Sequence, residues 1–142
     1  MNITYKDVHH LFSDTKGYKN DNIAFETMSF GVYEEQPKGL FIPLEGQEDL
    51  QQAIYQGAIA AIWEKSKSLP KYIPNDFPIF FVSNINSAAL QLIEQFVMNQ
   101  SNITTNFLVY EKYGDTKKTV IYSPKDNRQQ LIVLMDAWKG RE

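Results

Sequence analysis

The sequence predicts a single α/β domain whose mixed sheet has about five or six strands around a parallel βαβ unit, with flanking helices. Two apolar segments, Leu40–Ile42 and Ala58–Trp63, carry this prediction because a helical segment lies between them. Leu44 and Ala58 are separated by about a dozen residues, which is the minimum for a parallel crossover. Neither segment alternates polar with apolar residues, which is typical of strands that helices cover on both faces. A hairpin pattern and an amphipathic helix close the chain.

The amino-terminal part of the chain predicts one helix and one strand. Thr4 and Asp7 have the spacing of a capping box, and apolar residues at helical spacing carry the helix from about Tyr5 to Ser13. The segments that follow are predicted as a polar loop at 14–22, a strand with two mixed faces at 23–30, and an irregular connection at 31–38.

The central part predicts two helices and two further strands. The acidic pair at 48–49 favours a helix start, and Gly57 is placed as the left-handed residue that ends this helix before the Ala58–Trp63 strand. A second helix is predicted by apolar residues at helical spacing, capped by Asn84 or Asn86. The remaining central segments are predicted as a charged loop at 65–76 and an apolar strand at 78–83.

The carboxyl-terminal part predicts a hairpin and a final helix. Two strand segments, Phe107–Lys112 and Lys118–Tyr122, flank a Gly-Asp turn, which is the composition of a tight antiparallel hairpin. Asp126 and Gln129 have capping-box spacing ahead of an amphipathic helix at 128–138. This helix is expected to end at a glycine.

Composition restricts the classes of function that fit the chain. Its 142 residues suit one domain, 1–142, and its formal charge of -3 gives no electrostatic reason to bind nucleic acid. The lack of cysteine excludes disulfides, thiolate zinc sites and cysteine nucleophiles. No apolar leader follows Met1, so a cytoplasmic protein without a membrane partner is expected. Neither a metal nor a cofactor is expected.

Three segments resemble the N-terminal, substrate-binding domain of the Mur ligases. They are Thr27-Met-Ser29-Phe30, Gly39-Leu-Phe-Ile-Pro-Leu-Glu-Gly46, and residues 52–65 with their Gly57-Ala58 pair. The similarity is strongest over residues 23–97, and residues 104–142 add the hairpin and the terminal helix. The family's signature reads Asp-Ser-Arg, then Pro-Gly-Asp-Leu-Phe-Val-Ala-Leu-x-Gly, then a helix that ends in Gly-Ala before a strand.

The resemblance implies a protein that recognises a UDP-N-acetylmuramyl-peptide or another nucleotide sugar and is linked to peptidoglycan precursor metabolism. The residues that it places at the ligand are Thr27, Ser29, Phe30, Leu44 and Gly46. Backbone amides and side-chain hydroxyls would supply the specificity, without catalysis by this chain. The expected function is therefore that of a non-catalytic binding protein.

The chain differs from the family at positions that bear on activity. Met28 and Phe30 stand where the signature has Asp and Arg beside Ser29. The ligases bind ATP with a Gly-rich phosphate loop, but the nearest match, residues 114–119, lacks the second glycine and lies between two predicted strands. Ligation by this chain alone is therefore not expected. One further interpretation makes the chain an accessory part of an ATP-dependent amide ligase whose other domains are on another chain.

An alternative function, from a different class, is that of a protein-interaction module that has lost the ligand pocket. Ile132 and Val133 widen the apolar surface of the terminal helix, so this helix either lies in the core or binds a partner. The helix at 128–138 or the hairpin edge would then pair with a partner protein, or with a second copy in a homodimer.

Two adjacent pairs of titratable residues predict no chemistry. His9 and His10 are neighbours on one predicted helix, so they point in different directions and cannot chelate one ion together. Glu34 and Glu35 lie in a predicted loop, where adjacent carboxylates are solvated and are not arranged for acid–base catalysis. Both pairs are interpreted as surface residues.

Overall fold

A computed structural model of the chain describes residues 1–44, 48–100, 102–113 and 115–139. Its strands are β1 (Ile3–Thr4), β2 (Thr15–Lys16), β3 (Ala24–Phe25), β4 (Thr27–Ser29), β5 (Gly39–Phe41), β6 (Ala58–Glu64), β7 (Ile79–Val82), β8 (Asn106–Tyr113) and β9 (Thr116–Tyr122). Its helices are α1 (Tyr5–Leu11), α2 (Leu50–Tyr55), α3 (Ile85–Ile93), which a π-helical turn at Glu94–Met98 extends, and α4 (Arg128–Lys139). Within the described residues, none of these helices is both long and apolar enough to span a bilayer.

Seven strands form the main sheet in the order β2, β7, β6, β5, β4, β8, β9. The five inner strands are parallel to one another, whereas the two outer strands, β2 and β9, are antiparallel to their neighbours. β1 and β3 form a second, two-stranded sheet. The predicted mixed α/β fold is therefore confirmed, with a larger main sheet than the sequence predicts.

The β5–α2–β6 unit is the predicted parallel crossover. Leu40 of β5 lies opposite Ala60 of β6 in parallel register. Asp49 begins the connecting helix, because its side chain accepts a hydrogen bond from the amide of Gln52 at 3.1 Å. Gly57 ends the helix with a φ of +116°, a left-handed conformation that favours glycine. The arrangement that the two apolar segments predict is confirmed.

The amino-terminal helix forms as its capping box predicts, but the segment after it differs from the prediction. Thr4 and Asp7 exchange the two cap hydrogen bonds, and the helix ends at Leu11, before the predicted Ser13. Within the predicted loop, β2 pairs with β7 and becomes an outer strand of the main sheet. A strand of two residues carries no periodicity, so its pairing is decided by tertiary contacts.

The predicted continuous strand at 23–30 is wrong, because the chain changes sheets at Glu26. β3 pairs with β1 before this residue, and β4 joins the main sheet after it. Thr105, the residue before β8, connects the main sheet to the small sheet. Its buried hydroxyl donates to the Phe25 carbonyl at 2.6 Å and accepts from the Ile3 amide at 2.8 Å. The two halves of the segment pack in different sheets, which explains its mixed pattern.

The remaining predicted elements are confirmed with small shifts of their ends. Asn84, and not Asn86, caps α3 by accepting a hydrogen bond from the Ser87 amide at 2.9 Å. β8 and β9 form the predicted hairpin, in which Val109 lies opposite Val120. The glycines predicted in the hairpin turn and after the last helix lie outside the described residues.

Helices cover the two faces of the main sheet unequally. α1, α3 and α4 pack on one face, which we call the helical face, over a core that includes Met28 and Phe30. α2 packs on the other face over Phe41, together with Val32. Val32 belongs to residues 31–38, the crossover loop, which runs from β4 to β5 on that side of the sheet. We therefore call this side the loop face.

The terminal helix packs in the core through one side and leaves another side exposed. Leu131, Met135 and Trp138 are buried, and the Trp138 ring lies edge-on to Phe30 with ring centroids 5.1 Å apart. Val133, in contrast, is 59% exposed. The core role predicted for this helix is confirmed for its buried stripe, while one of the residues that widen its apolar surface faces solvent.

Replacing Gly57 with alanine is expected to lower the free energy of unfolding by about 1–3 kcal/mol. The backbone is left-handed at this position, and an added Cβ would lie 2.9 Å from the Gln36 carbonyl oxygen. Equilibrium urea denaturation measures the difference from the native chain. Gln51→Ala, at an exposed position of α2, is the control and should change stability by less than about 0.5 kcal/mol. Equal stability of Gly57→Ala and the native chain would contradict the prediction.

Candidate functional site

The two hydroxyls that the resemblance places at a ligand are both buried. The Ser29 hydroxyl donates to the Gly31 carbonyl at 2.8 Å and accepts from the Gly31 amide at 3.4 Å. The Thr27 hydroxyl donates to the Pro37 carbonyl at 3.1 Å. Both hydroxyl protons are therefore used to hold the crossover loop near its two ends.

Gln36 is a third polar side chain that holds the crossover loop. The residue is fully buried, and its side-chain amide donates to the same Gly31 carbonyl at 3.0 Å. Its backbone amide donates to the Gln56 carbonyl at 2.8 Å. Buried backbone groups need hydrogen-bond partners. In a loop these partners are not supplied by the regular hydrogen bonds of a helix, so side chains can supply them. The polar residues of β4 and the crossover loop thus form a structural network.

Of the other three candidate residues, the structure describes two, and these lie in different surroundings. Phe30 is buried on the helical face, with the Phe107 ring at 6.3 Å and the Trp138 ring at 5.1 Å between centroids. Leu44 is partly buried after β5 and packs against the same core. Gly46 lies outside the described residues. Since side chains alternate along a strand, Phe30 faces the opposite side of the sheet from the two hydroxyls.

A polar cleft of about 370 Å³ lies where β6 and β7 end and α3 begins. Its walls come from the end of α1 and the segment after it, from Lys65, and from the first turns of α3. The lining residues are Leu11, Phe12, Ser13, Asp14, Lys65, Phe81, Val82, Ser83, Asn84, Ser87, Ala88 and Gln91. Ligands of open parallel sheets bind outside the carboxyl ends of the strands, so the fold favours a binding site at this position.

Lys65 is the one cation that lines the polar cleft among the described residues, and it forms an ion pair with Asp14. The Nζ and Oδ2 atoms are 2.9 Å apart, and the two side chains are 55% and 54% exposed. An ion pair of this exposure contributes at most about 1 kcal/mol. Opening this ion pair would therefore cost little stability.

Two amides at the start of α3, those of Ile85 and Ser87, already have side-chain partners. The Asn84 side-chain oxygen accepts from the Ser87 amide at 2.9 Å, and the Glu64 carboxylate accepts from the Ile85 amide at 2.8 Å. Glu64 thus supplies the negative charge that the amino terminus of a helix favours. These two amides are therefore not free to bind an anion in the polar cleft.

A second recess, the apolar groove, lies between α4 and the outer strand β9 and has a volume of about 430 Å³. Its lining residues are Tyr122, Gln129, Gln130, Val133, Leu134 and Ala137, none of which is charged. On the loop face of the same hairpin, Ile121 is 63% exposed beside Leu108. Exposed apolar residues on both sides of an outer strand are typical of an interaction surface.

A third recess, of about 650 Å³, separates the crossover loop from the hairpin. Tyr33 of the loop packs on Tyr110 of β8 with ring centroids 4.6 Å apart. Glu34 and Glu35 line this recess beside Thr119. Within the part of the chain that the structure describes, no three His, Cys, Asp or Glu side chains are grouped so that they could hold a metal ion.

Comparison with models of known protein families and with curated protein sequences finds no match for the chain. The similarity to the Mur ligase domain therefore remains a resemblance of sequence motifs. Sequence reasoning missed the residues of the polar cleft because they come from segments that lie far apart in the chain. The signal that could have found them is their position, since Lys65 and Asn84 each follow closely after a predicted parallel strand.

Ser29→Ala is expected to lower the free energy of unfolding by about 1–2 kcal/mol, because the buried backbone of Gly31 loses both a donor and an acceptor. Urea denaturation followed by circular dichroism measures the change. Ser83→Ala, at an exposed serine of the polar cleft, is the control and should stay within about 0.5 kcal/mol of the native chain. If Ser29→Ala is as stable as the control, the Ser29 hydroxyl has no structural role and becomes available as a ligand contact.

Proposed function

We propose that the chain is a non-catalytic binding protein for a polar, anionic small molecule of the nucleotide-sugar class, and that this ligand binds in the polar cleft. The observation that supports the proposal is a polar cleft of about 370 Å³, with Lys65 in its wall, at the carboxyl ends of β6 and β7. Its volume is within the range of small-molecule sites, about 300–1,000 Å³.

The residues of the polar cleft suit the parts of such a ligand. Lys65 offers a positive charge to a phosphate once the exposed pair with Asp14 opens. Ser83 and Gln91 carry hydroxyl and amide groups that can bind the hydroxyls of a ribose or a sugar. Phe81 supplies apolar surface against which a base or a sugar ring can pack. Together these groups provide binding and orientation of a ligand.

The ligand class comes from the resemblance, whereas the proposed place of binding comes from the structure. The resemblance implies contacts from β4 and from the segment after β5. Because the hydroxyls of Thr27 and Ser29 hold the crossover loop, we place the ligand instead at the carboxyl ends of β6 and β7 in the same sheet. A role in peptidoglycan precursor metabolism follows if the ligand is a UDP-muramyl compound.

A second candidate function is that of a protein-interaction module, and the apolar groove favours it. An uncharged groove beside an outer strand suits a polypeptide better than a nucleotide, because strand edges bind other strands through backbone hydrogen bonds. The polar cleft and the apolar groove lie near opposite edges of the main sheet. The two functions therefore do not compete for the same residues.

Lys65→Met is expected to weaken the binding of UDP-N-acetylmuramic acid or UDP-N-acetylglucosamine by about tenfold or more, because the phosphates lose their cationic partner. Isothermal titration calorimetry measures the dissociation constants. Lys67→Met is the matched control, since this lysine follows on the same loop, pairs with Glu48 at 3.3 Å and does not line the polar cleft. The control should bind with native affinity.

Ser29→Ala separates the two candidate locations of the ligand. If the ligand occupies the polar cleft, this variant should bind with native affinity, because Ser29 does not line the cleft. Loss of binding in Ser29→Ala, with native binding in Lys65→Met, would instead place the ligand where the resemblance places it. A titration with no binding at millimolar ligand would reject nucleotide-sugar recognition altogether.

A further inference from the structure

We propose that the chain forms a two-fold symmetric dimer in which β9 pairs antiparallel with β9 of a second copy, so that the two main sheets continue across the interface. The proposal rests on the second candidate function and names its partner, and it is independent of ligand binding in the polar cleft. The surface that carries it is β9 together with the exposed apolar residues on either side of this strand.

The two outer strands of the main sheet differ in how much backbone they leave open. β2 has 2 residues, whereas β9 has 7 residues and, within the described residues, only β8 as a neighbour in the sheet. A long outer strand presents N–H and C=O groups that another strand can bind. β9 is therefore the edge at which the sheet is open to extension.

The apolar residues beside β9 indicate which partner fits. Val133 of α4, 59% exposed, lies on the helical face, and Ile121, 63% exposed, lies on the loop face. A single peptide strand added to β9 would lie in the plane of the sheet. It would bring no helix to the helical face, so Val133 would remain exposed. A second copy supplies a strand in the plane, α4 on the helical face and Ile121 on the loop face, because a two-fold axis perpendicular to the sheet keeps like faces together.

Charge complementarity favours the same partner. The apolar groove has no charged side chain in its lining, so two copies of the groove meet without like-charge repulsion. A strongly acidic or basic partner would find no opposite charge there. The apolar groove can therefore meet a second copy of itself without charge repulsion, and the order of the layers matches across the interface.

The position of Lys118 selects the register of the pairing. Lys118 lies in the half of β9 nearest the hairpin turn, and charged residues on an outer strand oppose pairing. Antiparallel pairing centred on Val120 uses the other half and places Ile121 opposite the partner's Thr119. The two Lys118 residues are then offset by about 14 Å along the strands, at about 3.4 Å per residue, which exceeds the Debye length of about 8 Å. Pairing centred on Lys118 would place these two lysines directly opposite each other.

Cysteine cross-linking tests this register, because the chain contains no cysteine of its own. Val120→Cys should form a disulfide-linked dimer under mild oxidation, since directly opposite residues of an antiparallel pair have Cα atoms about 4.5–5.5 Å apart, within disulfide range. Lys118→Cys should not form one, because its two copies are offset. Tyr55→Cys, 84% exposed on α2, measures random collision. Equal cross-linking of the three variants would overturn the register.

Sedimentation velocity of the native chain tests the dimer itself. We expect a mass that rises with concentration to twice that of one chain. Val133→Glu and Ile121→Glu should each raise the dimer dissociation constant about tenfold or more, because each places two buried like charges at the interface. Tyr55→Glu, which replaces an even more exposed residue elsewhere, on α2, should leave the constant unchanged.

All three substituted side chains are exposed in the monomer, so circular dichroism should show native folding for each variant. A native chain that remains monomeric at about 100 µM would overturn the proposal. So would a dimer that neither Val133→Glu nor Ile121→Glu weakens. Neither result would alter the calorimetric test of the polar cleft, which the two substitutions do not touch.

Discussion

The helix-free connection between β4 and β5 is the constraint on which the rest of the structure depends. Gln36 of the crossover loop lies so close to the backbone at two positions, 39 and 57, that only glycine fits there. A Cβ on Gly39 would lie 2.7 Å, and one on Gly57 2.9 Å, from the Gln36 carbonyl oxygen. The loop is therefore clamped between the start of β5 and the end of α2. This clamp holds β4 beside β5 in parallel register and leaves the other edge of β4 for β8.

The same helix-free connection leaves one edge of the main sheet with an exposed apolar residue, whereas the polar cleft lies at the other edge. A loop, and not a helix, covers the loop face beside β4, so Ile121 of the neighbouring hairpin remains exposed on that face. At the opposite end, the segments after α1 and β6 meet the start of α3 and enclose the polar cleft. The six intervals between the seven strands, at about 4.8 Å each, separate the two ends by about 29 Å. Occupation of one surface therefore does not obstruct the other.

Sequence patterns predicted the parts of the fold whose causes are local. Asp49 and Gly57 predicted the ends of α2, because caps and left-handed glycines act within a few residues. The change of sheets at Glu26 could not be predicted, since it depends on the pairing of β3 with β1. Nor could the polar cleft, which depends on contacts such as the one between Asp14 and Lys65. Long-range contacts of this kind leave no mark in a linear pattern of apolar and polar residues.

The residues beside Ser29 explain why the signature serine of the resemblance holds a loop in this chain. Side chains alternate along β4, so Thr27 and Ser29 face the crossover loop, whereas Met28 and Phe30 face the helices. A charged residue in place of Phe30 would be buried without a partner beneath Trp138, at a loss of about 3–5 kcal/mol. The Phe30–Trp138 contact instead anchors α4 to the sheet. Met28 and Phe30 thus belong to the core against which α4 docks, and the docked α4 forms one wall of the apolar groove.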